Sequence, residues 1–510
     1  MRSEKLFRPF IRLMFNSHCG GIRLDEVSLM KRIGALLLCG ILLLPAAGAS
    51  GTPWPAWAAE ALAWGREKSV SRAFLASPGQ RLTRGAVARL LYESAGQPAA
   101  HEECPFSDVS EKDAAAVGWA AGQGYLTGVG DGTYEPGRPV TRQEFAAILW
   151  RQAGTPEVPV QGLERFGDAG TVSEWARDAV LWCQQAGVMA GRSGDKLAPE
   201  DTITTAEALV MLERAAGLPD VGQLRDDLEI LAAHHRPVGS QGEDDAVRYL
   251  RDRFEEMGYS VTLQPYTDGQ GRTGHNVAAV KAASVPDADI LVLSAHHDSV
   301  PTAYGANDNA SGVAALLYTA EALRNVPTDT EVRFLSFTDE ENGKNGSRTC
   351  TASLTEEERT RIVGAIQFDM LGGLGSTGTL VCTVDGEANW VSDLLQKKNP
   401  GLESGVETAS DHTSFQLSGI PAVLLMQRGR GYLYHSAADT AEQLDLYAIA
   451  AAADSAAAAA EEICSADTPS YRALAREQGE RSAYRQTRQN MIYFGSSREI
   501  GRASCRERVS

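Results

Sequence analysis

Two kinds of apolar periodicity divide the chain. In the first part, helical spacing recurs in LTRGAVARLLYESAG (82–96), VTRQEFAAILWRQAG (140–154) and ITTAEALVMLERAAG (203–217). Each copy opens on a threonine and carries an apolar pair seven and eight residues later: Leu90 and Leu91, Ile148 and Leu149, Met211 and Leu212. Thr83, Thr141 and Thr204 stand 58 and 63 residues apart, which is a repeat period. Glu144 and Glu207 follow the second and third threonines by three residues, so these copies read as capping boxes. After Gly217-Leu218-Pro219-Asp220 the pattern changes. Amphipathic segments at 244–259, 312–324 and 446–464 predict helices. Between them, YSVTLQPY reads as an edge strand, and HNVAAVKA, DILVLSAHHD, EVRFLSFTDEE, GAIQFDML and PAVLLMQR as further strands. The predicted fold is α/β, a mixed and mostly parallel sheet with helices on both faces, preceded by a helical module.

The chemistry gathers at the strand ends of the second part. Open α/β sheets present the carboxyl ends of their strands to a ligand crevice. His296 ends one predicted strand, Glu340 and Glu341 another, and Asp369 a third; Asp308 lies in GANDNASG and His435 in YLYHSAADT. Two imidazoles, two carboxylates and one carboxylate to share suit two divalent ions, with zinc ahead of cobalt or manganese. Glu340, beside Glu341, is then free to move a proton, which points to a hydrolase. His296 and His297 alternate on a strand, so one of them faces the metal, and Asp298 is placed to support the other nitrogen of His296. Tyr434, next to His435, is a candidate donor to a developing oxyanion, and Asp411 and His412 are candidates for the substrate side.

Both halves resemble known families. FSD (106–108), FGD (166–168), GVGDGTYEPGRPVTR and the threonine-led helices resemble the S-layer homology repeat. Three copies, over 60–100, 101–157 and 158–218, imply a pseudo-threefold helical module that binds anionic secondary cell-wall polysaccharide in a Gram-positive-type envelope. The resemblance makes Arg84 and Arg142, which follow the threonines, the polymer contacts; the third copy has Thr205 there. Residues 222–466 resemble the zinc exopeptidase family of aminopeptidase Y and the secreted bacterial leucyl aminopeptidases, through HHDS, GANDNASG, EENGKNGS, DMLG and YHSAADT in order, with Arg236–Ser240 and SDHTSFQLSGIPAV beside them. Carried over, His296 and Asp369 hold one zinc, Glu341 and His435 the other, Asp308 bridges, and Glu340 is the general base. The implied substrates are peptides cut at the N-terminal residue. The related carboxypeptidase group fits less well, because only twelve residues separate His296 from Asp308 and no D-x-K-G follows. A carboxypeptidase-like or glutaminyl-cyclase-like member of the same fold, or a wall-binding surface-layer protein with an inactive peptidase-like domain, are the competing readings.

Composition narrows the setting. A formal charge of −18 excludes a nucleic-acid binder, and no basic stripe precedes the last forty residues. From Met30, a basic pair, an apolar run and Ala47-Gly48-Ala49 form a secretory leader, so residues 1–58 read as a mis-assigned start plus signal peptide. Ile33 to Leu44 is short for a bilayer span, and no membrane span is expected in the mature chain. The expected location is outside the cell, at the wall. Cys104, Cys183, Cys350, Cys382 and Cys464 show no metal spacing, and an exported chain allows a Cys350–Cys382 bridge. Residues 467–510 turn Arg- and Gln-rich without apolar period and read as a structureless or artefactual tail.

Overall fold

The three repeat threonines each start a helix. A computed structural model describes residues 53–99, 103–156, 158, 162–192, 195–374, 376–429, 431, 433–465, 471–479 and 481. The leader up to residue 52, Cys505 and most of the tail lie outside them. Within the N-terminal module run α1 (Ala59–Glu67), α2 (Arg84–Ser94), α3 (Glu111–Gly122), α4 (Arg142–Gln152), α5 (Arg177–Gln185) and α6 (Thr205–Ala216). Thr83, Thr141 and Thr204 cap α2, α4 and α6, and the last two caps are complete capping boxes with Glu144 and Glu207.

Packing closes the repeats on one another. Helix α2 packs against α3, α4 against α5, and α6 returns to α1. The residues just before the threonines form a ring of main-chain hydrogen bonds: Leu82 N donates to Ile203 O, Ile203 N to Val140 O and Val140 N to Leu82 O, each at 3.0 Å. Three equivalent strands of one residue thus meet at a pseudo-threefold axis. The aspartates of FSD and FGD have matching structural work: Asp108 accepts from the amides of Tyr134 and Glu135, and Asp168 from those of Leu197 and Ala198, all at 2.8 Å.

Helix α7 (Gly222–Leu231) leads into the second domain. Its strands are β1 (Ser260–Thr267), β2 (Thr273–Lys281), β3 (Ile290–His296), β4 (Glu331–Phe337), β5 (Ile362–Phe368), β6 (Thr379–Thr383), β7 (Glu403–Val406) and β8 (Ala422–Gln427). They form one sheet in the order β1-β2-β4-β3-β5-β8-β6-β7. The four central strands β4, β3, β5 and β8 are parallel neighbours; β2 joins β4 and β6 joins β8 antiparallel, with β1 antiparallel to β2 and β7 parallel to β6 at the edges. Strands β3, β5 and β8 are buried throughout, as expected of parallel strands covered on both faces. Leu291, Leu293, Val332 and Phe334 face one apolar core with α9 (Ser311–Leu323) and α11 (Leu446–Ile463); Ile290, Val292, Leu335 and Phe337 face another. Between these helices in sequence lies α10 (Trp390–Lys398), and α8 (Gln241–Glu256) covers β2.

Two expectations change. Cys350 and Cys382 are both buried free thiols, so they do not form the bridge an exported chain allowed. The segment read as a structureless tail begins ordered: residues 472–479 are helical, Tyr471 stacks on Trp390 with centroids 4.5 Å apart, and Arg472 pairs with Asp289. Strands β6 and β7 were not legible in the sequence at all. Among the described residues no helix is long and apolar enough to cross a membrane.

Candidate metal centre

The parallel strands bring their C-terminal ends level. His296, the last residue of β3, stands opposite Phe337 of β4 in register, so Glu340 and Glu341 follow on the neighbouring loop. Asp369 is the first residue beyond β5. Asp308 sits in the turn before α9, whose Asp308–Asn309 peptide is cis. This turn is tied to the rest of the site by Asn309, whose amide donates to Phe368 O at 2.9 Å and accepts from Met370 N at 3.2 Å.

Two groups that could each hold a metal ion result among the described residues: His296, Asp308 and Asp369, and Asp308, Glu341 and His435. Asp308 belongs to both. Its Oδ1 lies 3.3 Å from His296 Nε2 and its Oδ2 3.2 Å from His435 Nε2. Asp369 Oδ1 is 3.5 Å from His296 Nε2, and Glu341 Oε2 is 3.0 Å from His435 Nε2. His296 Nε2, Asp369 Oδ1, Glu341 Oε1 and His435 Nε2 are buried and make no hydrogen bond among the described residues. Buried polar atoms are ordinarily satisfied. Four orphans on four inward-facing donors fit a pair of cations.

The electrostatics point the same way. Burial, with Asp308 beside it, pushes Glu341 up to about 8. Burial likewise raises Glu340 well above the usual carboxylate range, opposed by His296 and reinforced by Asp411 and Asp369. Crowded buried carboxylates of this kind ask for positive charge, and bound cations would reverse these shifts.

Supporting residues hold the donors in place. Asp298 Oδ1 lies 3.3 Å from His296 Nδ1 and accepts from Glu340 N at 3.1 Å, while its Oδ2 accepts from Glu341 N at 3.2 Å. His297 faces away, with Nδ1 2.9 Å from Ser336 Oγ and Nε2 3.8 Å from Glu243. Tyr434 stacks on His435, ring centroids 3.7 Å apart. Asp411 is buried, with Oδ2 accepting from Gln367; His412 is buried against Glu407 O. His435, Met370 and Asp339 all adopt left-handed backbone conformations, with φ of 56°, 56° and 54°. Such strain gathers where surrounding structure fixes functional side chains.

Sequence reasoning missed three supports. Asp439 accepts from the amides of Asn307 (2.7 Å) and Asp308 (3.2 Å). Ser410 donates to Asp369 Oδ2 at 2.6 Å. The buried Arg236 donates to the carbonyls of His297, Tyr304 and Gly305 and so fastens both ends of the loop between His296 and Asp308. Each stood inside a motif already noted, YHSAADT, SDHTSF and the Arg236–Ser240 segment, but nothing in one sequence distinguished a support from a spacer.

The repeat arginines turn inward. Arg142 is buried; its Nε and Nη2 donate to Leu197 O and Ala190 O, and Nη1 pairs with Glu207. Arg84 makes the equivalent bonds one copy earlier, to Tyr134 O and Thr127 O. Both staple the loop of the following copy. Arg84 also lines a groove of about 230 Å³ shared with Arg138, Arg151 and the exposed Trp175.

Comparison with known proteins agrees with this division. Residues 276–460 match the model of Peptidase family M28. They form a domain of that family. Residues 105–146 and 165–209 match the S-layer homology domain, two segments where three were expected; the first copy is unmatched, although it closes the main-chain ring. Aminopeptidase YwaD of Bacillus subtilis (strain 168) is 34% identical over 169 residues, 32% of this chain and 36% of that protein. Leupeptin-inactivating enzyme 1 of Streptomyces exfoliatus is 32% identical over 209 residues, 38% of this chain and 45% of that protein. The chain thus spans less than half the length of these curated relatives. Among solved structures, the aminopeptidase from Aneurinibacillus sp. strain AM-1 aligns with TM-score 0.46 and 25% identity over 48% of this chain and 94% of that one. The zinc aminopeptidase BSAP from Bacillus subtilis aligns with TM-score 0.47 and 18% identity over 50% and 98%.

Proposed function

We propose that the chain is a wall-held metallo-aminopeptidase that uses two zinc ions to remove N-terminal residues from peptides outside the cell. The observation that carries this reading is Asp308, one carboxylate turned by its two oxygens toward two separate imidazoles, with Glu340 left out of both ligand groups. His296 and Asp369 would hold one ion, Glu341 and His435 the other, and Asp308 both. Such a pair supplies an acidified water and a polarised carbonyl when bound.

The protein's own groups do the rest. Glu340 takes the proton of the attacking water and returns it to the departing amine, so that its carboxylate is regenerated in each turnover. Its position is fixed because its amide is bonded to Asp298, which also steadies His296. Tyr434, stacked on His435, donates to the oxygen that gains charge. Beside it a small apolar pocket, lined by Met370, Leu374, Leu433 and Tyr434, receives the side chain of the first residue. In the module, the groove bearing Arg84, Arg138 and Arg151 suits an anionic wall polysaccharide, with Trp175 offering a face for a sugar ring.

The test is a panel of aminoacyl chromogenic substrates with and without an N-terminal blocking group, offered to the zinc-loaded protein. Turnover of the free-amine members alone is expected. Turnover of blocked members alone would overturn the aminopeptidase reading in favour of a different reaction on the same fold.

A further inference from the structure

The wall-binding module reaches the peptidase next to its catalytic rim. Trp182 of α5 donates through Nε1 to Tyr447 Oη at 3.2 Å, and the two rings meet edge to face, 6.3 Å apart. Tyr447 lies in the first turn of α11, two residues after Asp445, whose amide donates to Gly372 O at 2.7 Å. Gly372 is three residues past the ligand Asp369. The third repeat is therefore fastened to the loop that carries one wall of the site.

Space also opens between the same two parts. The apolar pocket beside Asn307, Met370 and Tyr434 shares Gly373, Leu374 and Gln427 with a larger cleft of about 620 Å³. One side of that cleft is the peptidase strip Gly373, Leu374, Ser376 and Thr377. The other side is the third repeat, through Glu164, Arg165, Gln184 and Gln185. A cleft of this size exceeds what one side chain fills, and it is lined by glycine, hydroxyl and amide groups suited to an extended main chain. Its charges are mostly committed: Glu164 pairs with Arg177 at 3.4 Å, and the Asp445 carboxylate accepts from the amides of Tyr447 and Ala448. Arg165 differs. It is exposed, lies over the Phe166 ring, and makes no ion pair among the described residues.

We propose that the third repeat is the outer wall of the peptidase's substrate cleft, and that Arg165 there binds the C-terminal carboxylate of short peptides. This rests on the aminopeptidase reading above. It makes the module a determinant of substrate length and charge as well as an anchor. The peptidase and the repeats would then act as one site, with a preference for short, free-acid fragments over amidated or long chains.

The experiment compares the zinc-loaded full chain with Arg165→Glu on three substrates: an aminoacyl anilide, a tripeptide with a free C-terminus and the same tripeptide amidated. The wild type should show the lower KM for the acid. Arg165→Glu should raise KM for the acid by about three- to tenfold, the scale of a reversed, solvent-exposed ion pair, while KM for the amide and turnover of the anilide stay unchanged. Equal shifts for acid and amide, or no shift for either, would overturn the proposal while leaving the peptidase intact. Failure of the wild type to cleave the anilide would instead sink the aminopeptidase reading, and this inference with it.

Discussion

Asp298 touches three parts of the centre at once: the imidazole of His296 and the amides of Glu340 and Glu341. Removing its charge should loosen the metal rather than the fold. Asp298→Asn is expected to weaken zinc binding by about 10- to 100-fold in competition with a chelator, and unchanged affinity would show that the contact does not matter. Glu340 predicts the reverse pattern. Glu340→Gln should keep its zinc and lose roughly 10²–10⁴ in kcat, whereas full activity would remove it from the general-base role. At this scale the sequence was most legible where chemistry is rare. Adjacent histidines on a strand must part, and they do: His296 turns to the carboxylates and His297 to Ser336 and Glu243. It was least legible for Arg84 and Arg142, because a guanidinium at a helix start serves a ligand or a neighbouring carbonyl equally well, and three-dimensional closure of the repeats decides.

Elements follow their local patterning where that patterning is strong. The buried runs of β3, β5 and β8 are continuous, and β4 ends in the buried run Phe334–Phe337, so all four could be read directly; β6 and β7 are five and four residues long, and β7 is largely exposed, so neither carries a usable period. The capping boxes of α4 and α6 were equally plain. Thr141→Ala should cost about 1 kcal/mol, seen as a lower midpoint in chemical unfolding, and no change would mean the cap bond is not sustained in solution. The partner in the third copy adds a pH dependence. Burial alone would raise the Glu207 carboxyl, but bonds from Arg192 and Thr204 hold it below the usual range. Its folded pKa is depressed, so its stabilising contribution is present above the ordinary glutamate pKa and is lost as pH falls through the lower, folded value. Thermal unfolding of Glu207→Gln should therefore lose part of the wild type's sensitivity to acid below about pH 4.5. Identical acid profiles would contradict this assignment.

As a whole the molecule brings its repeat module and its peptidase-like domain together at an aromatic contact, Trp182 on Tyr447. Two compositions and a boundary near Pro219 foretold the two parts, but not their meeting, which depends on residues 265 positions apart. Anchoring should be separable from turnover. A double charge reversal of Arg138 and Arg151, both in the groove of the module, should abolish retention on purified wall polymer while leaving anilide hydrolysis unchanged; retained binding would move the polymer site elsewhere. The central claim concerns the other half, a pair of ions shared by Asp308. Titrating the metal-stripped protein with zinc while following hydrolysis of an aminoacyl anilide tests it most directly. Activity that climbs and levels off at two zinc ions per chain is the predicted result; a plateau at one ion, or no dependence on zinc, would contradict it.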